Sequence, residues 1–255
     1  IVYYISAWCD LRAAGKLAAC EAVNFCVPTG NFGNILAAYY AKRMGLPVGK
    51  LICASNANNV LTDFITSGTY DRNRPFYATE SPSMDILISS NLERLLYLLS
   101  GSDKAVRGYM AQLSKTGRYT VSDELRRQIS EIFAAGFCDD KATEQTIRAA
   151  YEQQHYLPDT HTAVAWNVLE QYRASTGDAH KSVIVSTASP FKFCGSVLHA
   201  LGCTKQKTGT EIIGQLSAVS GRPAPTPLAG LAGKAVRFTK CVQKDEMARA
   251  VTELL

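Results

Sequence analysis

The stretch VNFCVPTGNFGNILAAYYAKRMG, residues 23–45, opens as a buried strand and closes as a helix. Residues 23–27 are apolar enough for a strand inside a sheet, and Pro28 ends it. Residues 34–44 read as a helix, with Gly45 at its C-terminal cap and Pro47 just beyond. Between them stands Gly30-Asn31-Phe32-Gly33-Asn34. A helix start leaves about four backbone N–H groups without partners and carries about half a positive charge. Glycines there let the backbone approach an anion and supply turn angles that a Cβ forbids. Asparagines add side-chain donors. The turn is therefore suited to hold a phosphate, although it is neither Gly-x-x-x-x-Gly-Lys-Ser/Thr nor Gly-x-Gly-x-x-Gly. The plain alternative is a tight turn whose glycines serve backbone geometry alone.

Working outward, residues 51–54 read as a second strand, followed by the polar turn SNANN and a helix closed by Gly68. Residues 1 to about 20 read as a helix that ends near Gly15 or continues through KLAACEA. Alternating strands and helices predict an open, mostly parallel α/β sheet with flanking helices. Ligands in such sheets bind beyond the carboxyl ends of strands, so two Asn-rich turns there suggest a lined cleft. From residue 71 to about 180 the pattern is nearly all helical. Leu92, Leu95, Leu96 and Leu99 share one helical face, and VSDELRRQISEIFAAG reads as a helix capped by Ser122 with Ile129, Ile132 and Phe133 on one side. Residues 183–185 return to a strand that runs into STASP, whose three hydroxyls either hold a ligand or cap a turn. The last segment begins with a helix near Thr210 and a Pro-rich turn, then a strand near KAVRF and a final helix from Lys244. The expected organisation is an α/β ligand-binding domain from residues 1–70 and 181–205, a helical segment over 71–180, and a carboxyl-terminal α/β segment over 206–255.

Composition bounds the function. With 47% hydrophobic and 19% charged residues in 255, the chain is globular, and no apolar run approaches the roughly 18 residues a membrane span needs. A net charge of +5, spread along the chain, argues against a nucleic-acid partner. Eight cysteines form no Cys-x-x-Cys pair, and Cys26 and Cys53 sit in apolar runs, which fits a reducing cytoplasm. No cluster has metal-ligand spacing in sequence. The first residues, IVYYISAWCDL, carry no methionine and look like the middle of a domain, so a piece of a longer protein is expected.

The segment VPTGNFGNILAAYYAKRMGLPVGKLICASNANNVLTDFITSGTYD resembles the threonine synthase family, and SPSMDILISSNLERLLYLL, DTHTAVAW and STASPFKF follow in the family's order. The resemblance implies the pyridoxal phosphate (PLP) fold type II, that of the tryptophan synthase β-chain. It implies conversion of O-phosphohomoserine and water to threonine and phosphate, by a carbon–oxygen lyase of amino-acid biosynthesis. It assigns the cofactor's phosphate cup to Gly30, Asn31, Phe32, Gly33 and Asn34, and the pyridine-nitrogen partner to Thr187. The family's Schiff-base lysine lies in an amino-terminal Phe-Lys-Asp segment that no lysine here matches. Lys192, in PFKF, comes nearest but lacks the Asp. The resemblance therefore implies a partial fold without its amino-terminal half, which would be its partner and would supply that lysine. No catalytic residue is expected in this piece, nor activity from it alone. Ser90, Asn91, Arg94, Lys192 and His161 are candidates for meeting the dianionic substrate, against a solvated helix face or a structural histidine. Two alternatives remain open: another fold type II enzyme acting on phosphorylated amino substrates, and a non-catalytic anion-binding module.

Overall fold

A computed structural model of the chain, which describes residues 1–237 and 239–253, has two compact units, Ile1–Gln206 and Lys207–Leu255. The first is built on a four-stranded parallel sheet. Its centre is β1 (Val23–Pro28), all six residues of which are buried. On one side β1 pairs with β2 (Val48–Ser55), and β2 with β5 (Phe133–Phe137); on the other side lies β6 (Ser182–Ile184). A central strand covered on both faces lacks apolar–polar alternation, and the one polar residue in 23–27, Asn24, is buried with its amide donating to Asp178 and its carbonyl accepting from Lys50 N–H. Helix α1 (Val2–Ala13) stops before Gly15, the shorter of the two expected ends. Helix α2 (Gly33–Arg43) buries Ile35, Leu36, Ala38, Tyr39 and Ala41, and α3 (Val60–Ser67) buries Val60, Leu61, Phe64 and Ile65.

The middle of the chain departs in part from the nearly all-helical expectation. It contains α4 (Leu92–Ser100), α5 (Asp103–Thr116), α6 (Asp123–Ile132), α7 (Asp140–Gln154) and α8 (Thr160–Thr176). It also holds an antiparallel pair, β3 (Thr69–Asp71) with β4 (Arg118–Thr120), where the Tyr70 and Tyr119 rings stack 5.3 Å apart. Ser122 caps α6 as expected, its hydroxyl accepting from Leu125 N–H. The helix stops at Ile132, however, and the following FAAGF is the edge strand β5 rather than a fourth helical turn. Pairing with β2 satisfies one side of its backbone, and Phe133 packs 5.6 Å from Phe32 and 6.1 Å from Tyr39. Gly136 permits this, since a Cβ there would lie 3.0 Å from Val168.

After β6 the chain turns into α9 (Cys194–Ala200). The second unit holds α10 (Glu211–Ser220), α11 (Thr226–Ala229) and α12 (Met247–Thr252). Residues 234–237 form no strand, and Phe238, the end of the expected KAVRF strand, lies outside the described residues. Among the described residues this unit is helical and irregular, not α/β. No helix among them is long and apolar enough to cross a membrane. In the first unit β2 and β5 lie to one side of β1 and β6 to the other. The loops after β1 and β6 therefore border a crevice at the carboxyl ends of the strands, where ligands of such sheets bind.

Candidate functional site

The turn after β1 is the floor of that crevice. Thr29 anchors it, its N–H donating to Ala54 O at 2.8 Å and its hydroxyl to Val27 O at 2.7 Å. Gly30 is needed for close approach: a Cβ would stand 3.0 Å from Met84 Cα and 3.1 Å from Ser83 O. The left-handed backbone angle falls on Phe32, at φ 64°, and not on the glycines expected to supply it. That conformation costs a non-glycine residue about 1 kcal/mol, which burial of the Phe32 ring offsets. The first backbone bond of α2 runs from Leu36 N–H to Phe32 O, at 3.1 Å. The N–H groups of Asn31, Phe32, Gly33 and Asn34 donate to nothing among the described residues. Four unpaired donors at the positive end of a helix are a chemical fit for a phosphate dianion.

The loop before α4 forms one wall. Ser89 donates its hydroxyl to Gly30 O at 2.8 Å, and Asn91 donates both its N–H and its Nδ2 to Asn31 O, at 3.2 and 2.8 Å. Ser90 Oγ reaches Asn31 Oδ1 at 3.4 Å. Two of the residues expected at the substrate, Ser90 and Asn91, thus stand at the cup. Arg94 does not. It is exposed and lines a separate cleft of about 650 Å³ with Tyr40, Tyr97 and Met110.

The opposite wall comes from β6. A cleft of about 470 Å³ is lined by Asn34 from the cup, Ser186 and Thr187 from the β6 loop, Phe25, and Tyr4 of α1. Tyr4 donates to both Asn34 O, at 3.1 Å, and Asn34 Oδ1, at 2.9 Å. Burial pushes its phenol well above the usual value, so it remains a donor. Thr187 is exposed and shares this cleft with Asn34. Lys192 is not among the cleft's residues; it is exposed, with Nζ 5.3 Å above the Phe193 ring.

His161 supports the floor from behind. Its Nε2 accepts from Ser83 N–H at 3.3 Å, which leaves the ring proton on Nδ1, 3.2 Å from Asp159 Oδ1. Its ring lies 4.8 Å from that of Phe193 and is 3% exposed, so it positions the residues against Gly30 instead of facing the cleft. Asp159 also receives the Thr162 hydroxyl, which stands 3.3 Å from Ser186 Oγ. The side chains of Asn56 and Asn58 in the turn SNANN are held by the loop over residues 77–85. Asn56 Nδ2 is 2.8 Å from both Thr79 Oγ1 and Asp85 Oδ1, and Asn58 Nδ2 is 2.8 Å from Tyr77 O. Both side chains pin residues 77–85. Sequence reasoning missed Tyr4 and Ser89: a tyrosine 30 positions before its partner, and a serine 59 after, leave no local signal.

A family model described as "Threonine synthase, C-terminal" matches residues 162–252. Threonine synthase-like 1 of Homo sapiens is 41% identical over 203 residues, covering 79% of this chain and 27% of that protein. The crystal structure of threonine synthase from yeast superposes with a TM-score of 0.84 at 33% identity, over 98% of this chain and 50% of that one. PLP-bound threonine synthase from Brucella melitensis gives a TM-score of 0.72 at 39% identity, over 88% and 45%. The chain thus spans between about a quarter and a half of the length of these relatives. By sequence and fold, the chain belongs to the threonine synthase family and corresponds to the carboxyl-terminal part of its members.

Proposed function

We propose that this chain is the cofactor-binding, carboxyl-terminal part of a cytoplasmic threonine synthase that turns O-phosphohomoserine and water into threonine and phosphate. One observation carries the reading: Asn34, which closes the run of unpaired amides from Asn31, and Thr187 line one cleft. When bound, pyridoxal phosphate supplies the electron sink for carbanion chemistry beside the substrate amine. The amides of residues 30–34 hold its phosphate. Thr187 meets the ring nitrogen, and a neutral hydroxyl there leaves that nitrogen less firmly protonated than a carboxylate would. Ser90 and Asn91, held against Asn31, stand where an anionic substrate group would come. Tyr4 fixes the Asn34 side chain so that the first turn of α2 keeps its shape. The lysine that bonds the cofactor belongs to the remainder of a longer protein, consistent with relatives about two to three times this length. That remainder also offers cover for Val2 and Tyr3, which are 74% and 85% exposed. The likenesses favour neither another fold type II enzyme nor a non-catalytic module.

Titrating the purified chain with pyridoxal phosphate, by calorimetry, tests the cup. Gly33→Asp is the decisive variant. A Cβ at Gly33 meets only the Asn91 side chain, 3.4 Å away, and an acidic residue suits the first turn of a helix. The fold should survive while the new carboxylate repels the phosphate, weakening binding at least tenfold. Equal affinity in chain and variant would put the phosphate elsewhere.

A further inference from the structure

A second cluster of polar groups lies away from the crevice. Glu80 comes from the loop between β3 and α4, Glu144 from the second turn of α7, and His199 from α9. One ligand atom from each lies within 4.8 Å of the other two. His199 Nδ1 is 3.0 Å from Glu144 Oε1. Glu80 Oε2 has less than 1 Å² of exposed surface and is the one buried side-chain nitrogen or oxygen among the described residues without a hydrogen-bond partner. It stands in a group whose members offer lone pairs, with the Glu144 carboxylate as its neighbour. Two carboxylate oxygens cannot face one another without a proton or a cation between them. Asp140 adds a third carboxylate, accepting from Glu80 N–H at 3.2 Å. Arg148, one turn beyond Glu144, directs its Nε to Ala200 O at 2.8 Å.

We propose that Glu80, Glu144 and His199 bind a divalent first-row metal ion of the Mn²⁺ to Zn²⁺ series and so tie the loop before α4 to α7 and α9. An imidazole with two carboxylates is a donor set such ions accept. Metal–ligand bonds of about 2.0–2.2 Å in a tetrahedral site place neighbouring ligands about 3.3 Å apart. The Glu144–His199 pair is near that spacing, and side-chain rotation closes the rest. His199 is 60% exposed, which leaves room for a water as a further ligand. The same loop carries Ser83 and Met84 against Gly30, so the metal would brace the floor of the crevice.

The test needs no cofactor and is independent of the pyridoxal phosphate reading. Chelator-treated chain is titrated with CoCl₂ and followed by visible absorption, then with MnCl₂ by calorimetry. One equivalent should bind, with ligand-field bands and no thiolate charge-transfer band. Melting temperature should rise by about 5 °C at a hundredfold excess over Kd. Glu144→Gln and His199→Ala should each weaken binding at least tenfold, while Asp103→Asn, at an exposed ion pair, should not. His199→Ala changes an exposed side chain, so a folding failure is not expected there. Absence of saturable binding would mean that Glu80 and Glu144 share only a proton, and would overturn the proposal. So would a thiolate band, or binding that persists in both variants.

Discussion

The turns after β1 and β2 look alike in sequence, TGNFGN and SNANN, yet they end differently. In the first, the asparagine side chains make few bonds of their own, and four backbone amides at the start of α2 stay unpaired. In the second, Asn56 and Asn58 are 1% and 4% exposed, and their amides are consumed by Thr79, Ser81, Asp85 and Tyr77. A polar turn at a strand end becomes a ligand site only where its donors are left over. Asparagine content alone does not say which turn that is.

The contrast can be broken by substitution. Asn56→Ala leaves buried partners unsatisfied and should cost about 3 kcal/mol of stability in urea denaturation. A loss under about 1 kcal/mol would mean that the second turn is not the structural one. Gly30→Ala forces the backbone at residues 83–84 to move and should cost about 2 kcal/mol. It should also weaken pyridoxal phosphate binding, whereas Asn56→Ala at a temperature where it remains folded should not. If Gly30→Ala keeps full stability, the close approach of that loop is not what glycine serves.

Asp159 links the comparison to pH. Burial raises its carboxyl, but hydrogen bonds from His161 and Thr162 outweigh this and hold it below the usual range. With the native value below the unfolded one, near ~3.9, its contribution is complete above that pH and is lost as pH falls through the native value. The stability difference between the chain and Asp159→Asn should therefore shrink below about pH 4. A difference that stays constant into acid would show that the charge on Asp159 contributes nothing. The smallest effect belongs to Asn31→Ala. Its exposed side chain makes one long hydrogen bond, from Ser90, so stability should change by less than about 0.5 kcal/mol, and binding by the backbone amides should persist. A large loss of affinity would move the phosphate contact from backbone to side chain.

Much of this was legible in advance because it is local. The strand at residues 23–27, the helices that follow β1 and β2, and the capping hydroxyl of Ser122 depend on residues a few positions apart. The resemblance of several ordered segments placed the cup and Thr187 in one family before any geometry was known, and the structure shows Asn34 and Thr187 on one cleft. The run EIFAAG misled because its apolar residues suit a helix face and an edge strand equally. Only pairing with β2, some 80 positions earlier, selects the strand. Arg94 misled for a similar reason: its neighbours Ser90 and Asn91 reach the cup, but it lies on the exposed part of α4, toward Tyr40 and Tyr97.

The sequence by itself determined β1, the helices that follow β1 and β2, and the likeness to one family, since periodicity, caps and ordered motifs are carried by residues a few positions apart. The tertiary structure decided which Asn-rich turn stays open, that Phe32 and not a glycine takes the left-handed angle, and that His161 braces Ser83 from behind. Those outcomes rest on contacts between segments far apart in the chain, where burial and the satisfaction of each donor and acceptor are settled together.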